Sequence, residues 1–334
     1  MSAPRNQRAS EERLLEIKRL AAENAPSGKH PSTPQIQGRD SYYHLPALKP
    51  PAWTWEVPLY FFVGGISGVS TCMAFVAQIF SAEPQLIRAL LWAGFAGAAV
   101  CPVLLISDLG RPTRFLNMLR VFKWRSPMSL GAWILVAFSA CVTPALLSHE
   151  LILRGFHFPA LGAARFTAAA AGALTGLLLA SYTGVLIGAT AIPVWIANRK
   201  ILPAHFLTSG LGGSAGMLEL LGFFIPATQL LGFAAAGIET LLEILFEVRK
   251  PVANAPLHHG RTGLVFRAAG ILEGPLALLL RIAWHATPSG RRAAAISFLL
   301  GSLLSRYAWI WAGRASAKDP AALFAMQRRG EMKP

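Results

Sequence analysis

Four glutamates stand inside long apolar runs: Glu219, Glu239, Glu243 and Glu273. An ionisable side chain in hydrocarbon is expensive, so such residues face a protein interior and mark a polar device. Glu239 and Glu243 are four residues apart and would share one helix face. Protonated, they could be structural hydrogen-bond donors. Exchanging protons, they could be stations on a path or the wall of a cavity. A second group is built on tyrosine. Glu56 and Tyr60 are one helical turn apart in WTWEVPLY; Asp108, Arg111 and Arg114 punctuate SDLGRPTRF; Tyr182 and Thr183 lie in SYTG. Tyrosine hydroxyls beside a carboxylate that exchanges protons suit the recognition of a carbonyl or hydroxyl headgroup. Equally, Tyr60 with Trp53 and Trp55 could form an interfacial aromatic belt, Asp108 and Arg111 a structural ion pair, and the arginines a basic loop.

The elements that must hold these residues are membrane helices. Of 334 residues 54% are hydrophobic and only 14% charged, and the charges avoid the long apolar runs. Those runs predict spans at Val57–Phe80, Leu86–Ile106, Ser129–Leu147, Phe166–Ile187, Phe206–Ile225, Ala227–Leu245, Gly263–Arg281 and Ala293–Trp311. At about 1.5 Å per residue each can cross a hydrocarbon layer of roughly 30 Å. The expected fold is all-α: a polytopic bundle of about eight transmembrane helices. Residues 51–312 form the membrane domain, 1–50 a basic extension that is partly amphipathic or disordered, and 313–334 a tail. Pro226 is the one clear break between the fifth and sixth spans, in FFIPATQLLG. Glycines at 64, 65 and 68, and the pairs Gly172/Gly176 and Gly184/Gly188, predict close helix packing.

Topology then gathers the tyrosine group. Odd-numbered spans start at the face that holds the N-terminus and even-numbered spans end there. Glu56, Tyr60, Asp108, Arg111 and Tyr182 therefore share that face. Most of the 31 Lys+Arg fall on it too, so the positive-inside rule puts both termini in the cytoplasm. The net charge of +15 points to membrane lipid headgroups; without a zinc finger, basic helix or stacking platform it does not point to nucleic acid. The first fifty residues have no early apolar core, so they do not read as an export signal. Cys72, Cys101 and Cys141 are isolated, with no CxxC, so no iron–sulfur cluster or other metal is expected in this chain. His149, His157, His258 and His259 fall in loops and His205 and His285 near span ends, which leaves no axial pair for haem.

The motifs resemble one family. WTWEVPLYFFVGGISG is similar to the start of the first helix in the NrfD/PsrC-like membrane subunits of the polysulfide reductase type. SDLGRPTRFLNML followed by SPMSLGAW resembles their second-to-third helix junction, and SYTGVLI their fourth helix. The resemblance covers spans one to four. It implies a haem-free, eight-helix, quinone-reactive subunit in a bacterial inner membrane. That subunit would exchange electrons between menaquinone or ubiquinone and a four-cluster, ferredoxin-like iron–sulfur partner. The partner would in turn serve a molybdopterin or multihaem catalytic subunit. The resemblance places Tyr60 and Tyr182 in the quinone pocket; the residue types themselves add Asp108, Arg111 and Thr183 beside them, and Glu56, which is not carried over from the family. Val57 stands where the family pattern has an amide. The family's partner face lies outside the cytoplasm, whereas the basic bias puts the same face inside; the expectation here is a cytoplasmic partner. Two other functions fit the same residues: a proton-coupled secondary transporter, or a non-catalytic anchor for a complex.

Overall fold

The computed structural model describes residues 15, 16, 19, 48–109, 119–249, 252–319 and 323. Arg111 and Arg114, nearly all of the basic extension and most of the tail lie outside these. In chain order the helices are α1 Glu56–Ile79, α2 Pro84–Asp108, α3 Pro127–Leu153, α4 Pro159–Gly188, the short α5 Pro193–Ala197, α6 Leu202–Leu220 and α7 Pro226–Val248. A 3-10 turn at Val252–Asn254 leads into α8 Ala255–His258, α9 Gly260–Glu273, α10 Pro275–Trp284 and α11 Pro288–Ala317. The last helix runs past the predicted start of the tail.

Proline sets many of these boundaries. Helices α2, α3, α4, α5, α7, α10 and α11 each begin on one. At the first helical position the missing N–H is one that would have no intrahelical partner, and the fixed φ is already helical. Pro226 does so after a turn of five residues from the end of α6, in the place expected for the fifth-to-sixth junction.

Among the described residues, six helical stretches have the length and composition to cross a membrane: α1, α2, α3, α4, the α9–α10 pair and α11. These make the chain a polytopic α-helical membrane bundle. The other two expected spans are helical as well, at 19 residues for α6 and 23 for α7. They are less apolar, because glycine and serine in α6 and glutamate in α7 replace aliphatic side chains.

Packing divides the bundle into two groups. Helices α1 to α4 pack against one another, as do α6, α7, α9, α10 and α11, and the groups meet where α1 and α4 touch α6 and α1 touches α11. The α1–α4 crossing is tight: a methyl group added at Gly68 would run into the backbone of Gly176, and the reverse. Both belong to the glycine sets that predict close packing, and their missing side chains are what lets the two backbones meet.

The seventh span is broken, which its apolar pattern does not announce. Gly274 has non-helical backbone angles (φ −97°, ψ −98°), and Pro275 after it has no N–H to continue the ladder. Part of the lost bonding is replaced locally. Gly274 N still closes the last regular bond of the half-helix, to Gly270 O at 2.8 Å, and Ser297 Oγ on α11 takes up the carbonyl of Leu272, donating to it at 2.7 Å. Glu273 is thereby left at the end of a half-helix deep in the bundle, 1% exposed.

Candidate functional site

The tyrosine group assembles at one end of the α1–α4 half. A cavity of about 40 Å³ is lined there by Tyr60, Asp108 and Tyr182 among mostly apolar walls, including Val57, Phe61 and Met128. Tyr60 comes from the second turn of α1, Asp108 from the last residue of α2, and Tyr182 from the C-terminal part of α4. Both tyrosines are buried, at 2% and 7% exposure. The Tyr182 hydroxyl donates to Pro127 O at the start of α3, and the ring lies over Gly131, where any side chain would collide with it. The Tyr60 hydroxyl has no hydrogen-bond partner among the described residues. Its O–H can donate to a ligand, while Tyr182 keeps lone pairs with which to accept.

Thr54 ties the other candidates to this place. Its backbone N and its Oγ1 both donate to Asp108 Oδ1 at 3.1 Å, and Oγ1 also contacts Glu56 Oε2. The 53–55 segment is held from behind as well: Tyr307 OH donates to Trp55 O at 3.0 Å, and Arg314 donates to Trp53 O. Trp53 stacks on Trp195, with ring centres 5.5 Å apart. Glu56 thus reaches the cavity through Thr54 and Asp108. Thr183 does not line it; its Oγ1 turns back to Ala180 O in its own helix. Arg111 lies outside the described residues.

A second polar site occupies the other half of the bundle. His205 Nδ1 on α6 meets Glu239 Oε2 on α7 at 2.7 Å, and His205 Nε2 meets Ser305 Oγ on α11 at 2.9 Å. Thr208 Oγ1 donates to the other oxygen of Glu239. These groups, with Glu243, Glu273, Phe246, Phe266 and Gly270, enclose a cavity of about 10 Å³, close to the smallest that holds one water. Glu273 Oε1 is buried without a partner, as are Nε and Nη1 of Arg306. Arg306 donates from Nη2 to Phe206 O at 3.1 Å and lies over the Phe206 ring. One ligand atom each from His205, Glu239 and Glu273 fall within 4.8 Å of one another, a spacing a metal ion could use. The buried guanidinium of Arg306 beside them opposes a divalent cation.

The four intramembrane glutamates therefore divide three to one. Glu239, Glu243 and Glu273 share this cavity, while Glu219 sits about 21 Å further along α6 from His205. There it is fully buried in a pair of ion pairs. Arg281 grips it with two bonds of 3.0 and 2.9 Å, and Arg291 adds bonds of 3.0 and 2.8 Å to Oε1. Arg291 also donates to Ile225 O and Thr228 Oγ1, at 3.1 and 2.9 Å. Sequence reasoning misses His205, Arg281, Arg291 and Arg306 as partners. A search for haem-like pairs passes over His205, and arginines near span ends read as surface charge. A basic residue within an apolar span is the available signal for Arg281 and Arg306.

The fold and the two polar sites define a multi-pass helical membrane protein with a tyrosine-lined cavity at one end and a separate buried ionisable cluster. A family model described as "Polysulphide reductase, NrfD" matches residues 46–227, more than half of the chain, and the chain belongs to that family. It is 26% identical over 196 residues to "Protein NrfD" of Escherichia coli, covering 53% of this chain and 60% of that protein. It is 31% identical over 198 residues to the C subunit of polysulfide reductase from Wolinella succinogenes, covering 53% of this chain and 61% of the relative. The matches thus span under two thirds of either relative's length. The matched family segment holds the whole tyrosine cavity and ends before Glu239, Glu273, Ser305 and Arg306.

Proposed function

We propose that this chain is the haem-free, quinone-reactive membrane subunit of a respiratory oxidoreductase complex, crossing a bacterial inner membrane eight times with α6 and α7 as two of the crossings. The observation that carries this is the convergence of Tyr60 and Tyr182, from helices far apart in sequence, on one mostly apolar cavity with Asp108 in its wall. Apolar walls suit the flat ring of a quinone, and the Tyr60 hydroxyl suits one of its carbonyls. Met128, unbranched and 48% exposed, is the wall best able to move aside for the ring. When bound, the quinone supplies two-electron chemistry. The chain's own residues orient it, and Asp108 exchanges protons. The electrons go to or come from a four-cluster iron–sulfur subunit at the same face, which serves a molybdopterin or multihaem enzyme. The names of the two relatives support this assignment of class.

The test is photoaffinity labelling of the complex with an azido-quinone. Labelled peptides should contain Tyr60 or Tyr182, and labelling should weaken in Tyr60→Phe and Tyr182→Phe while assembly with the partner persists. Labelling confined to other helices, or quinol turnover at the wild-type rate in both variants, overturns the assignment. A proton-coupled carrier is the second reading, favoured by the half-helix break at Gly274 next to buried Glu273. Uptake of a solute by vesicles containing this chain alone would favour it.

A further inference from the structure

We propose that the second half of the bundle contains a proton well, separate from the tyrosine cavity. Protons taken up at Glu247 would pass Glu243 and be held by the buried group His205, Glu239, Glu273 and Arg306. This inference does not depend on the quinone assignment, and its residues other than His205 lie beyond the family match at 46–227.

The first support is a ladder of carboxylates on one face of α7. Glu239, Glu243 and Glu247 follow at four-residue intervals, about 6 Å apart along the axis. Their exposure rises toward the end of the helix: Glu239 is 4% exposed, Glu243 is intermediate, and the Glu247 side chain is 44% exposed. Glu247 is anchored by Arg267 on α9 at 3.3 Å and by His258 on α8 at 3.2 Å. Gly270 on α9 leaves the space that the Glu243 carboxylate fills. The ladder therefore leads from the membrane face at which α7 ends to the buried cavity.

The second support is the charge balance at the bottom. The charged and titratable groups facing this cavity are His205 from α6, Glu239 and Glu243 from α7, Glu273 from α9 and Arg306 from α11. Glu239, Glu273 and Arg306 are almost fully buried. Two ionised carboxylates against one guanidinium would leave a surplus negative charge in hydrocarbon, which is expensive. One held proton neutralises the group. The proton rests on a carboxyl oxygen of Glu239 or Glu273, and His205 Nδ1, 2.7 Å from Glu239 Oε2, is placed to relay it. The partnerless Glu273 Oε1 faces a space the size of one water, through which the proton can reach it.

Toward the other face the polar groups change from carboxylates to hydroxyls. Ser209 and Ser302 form the next pair, at 2.6 Å, and beyond them the Phe298 ring fills the space beside Gly212. Sideways, Phe206 and Phe61, with ring centres 5.9 Å apart, separate the group from the tyrosine cavity. The titratable ladder thus reaches the buried group from one face, and the Phe298 ring stands on its other side, as in a well.

Infrared spectroscopy of the full chain in lipid nanodiscs, with no quinone added, tests this. The wild type should show the carbonyl absorption of a buried carboxylic acid that shifts on transfer to D2O. Glu273→Gln and Glu239→Gln should each lose it, because one remaining carboxylate balances Arg306 without a proton. Glu243→Gln should keep the absorption and slow its exchange. Absence of an exchangeable carboxylic acid in the wild type overturns the proposal without recourse to any variant. So does its persistence in both Glu273→Gln and Glu239→Gln, or a divalent metal retained in stoichiometric amount by the purified chain. Since no quinone is present, failure here leaves the tyrosine-cavity assignment untouched.

Discussion

The guanidinium of Arg306 lies 3.9 Å from the centre of the Phe206 ring. The same ring touches Phe61, which lines the tyrosine cavity. One aromatic side chain thus forms a wall between the two polar sites and a seat for a buried charge. Replacing it by leucine keeps an apolar side chain and removes the ring face. Phe206→Leu should lower stability by about 2 kcal/mol, the worth of a desolvated cation–π contact. Chemical unfolding in detergent measures this, and a stability equal to wild type would show that the ring is only filler.

The two tyrosines of the cavity should separate by stability. Tyr182 donates to Pro127 O, so Tyr182→Phe removes an internal hydrogen bond and should cost about 1 kcal/mol. Tyr60 has no such bond among the described residues, and Tyr60→Phe should leave unfolding within about 0.5 kcal/mol of wild type. Equal losses in the two variants would mean that Tyr60 has an internal partner and is not a free donor.

Glu219 should behave as a structural residue. It compensates Arg281 and Arg291 with four bonds between 2.8 and 3.0 Å. Glu219→Gln leaves two buried guanidiniums without a counter-charge, a loss of about 3–5 kcal/mol in comparable cases. Expression of folded protein should collapse, whereas Glu243→Gln, in a half-buried site, should fold. Normal folding of Glu219→Gln would require another anion near the two arginines.

The membrane orientation is open to a direct measurement. If the chain crosses eight times as proposed, both ends lie on one face, and the positive-inside rule predicts that face to be cytoplasmic. Green fluorescent protein fused after Pro334 should fluoresce, and alkaline phosphatase at the same position should be inactive. The opposite pattern would reverse the orientation and put the partner's docking face outside. Cysteine labelling of the turn before Pro226 should report the far face. Labelling from the near face would remove α6 and α7 from the set of crossings.

Long-range apolar patterning determined the helices, because each run must cover the same thickness of hydrocarbon and proline marks where many of them start. It also determined that Tyr60, Asp108 and Tyr182 share an end of the bundle, since alternating direction is enough to place them there. What it could not determine is which side chains meet. His205 pairs with Glu239 and Ser305 across 34 and 100 residues, and nothing local to His205 distinguishes it from a histidine at a membrane surface. Glu219 and Glu239 look alike in sequence, both acids in apolar surroundings. Tertiary packing gives one a counter-charge from two arginines and the other a histidine. The break at Gly274 was likewise decided in three dimensions, where Ser297 on a neighbouring helix meets a carbonyl the broken ladder leaves free. A buried charge is tolerated or not according to its partners, and those partners come from helices whose mutual rotation is set by packing.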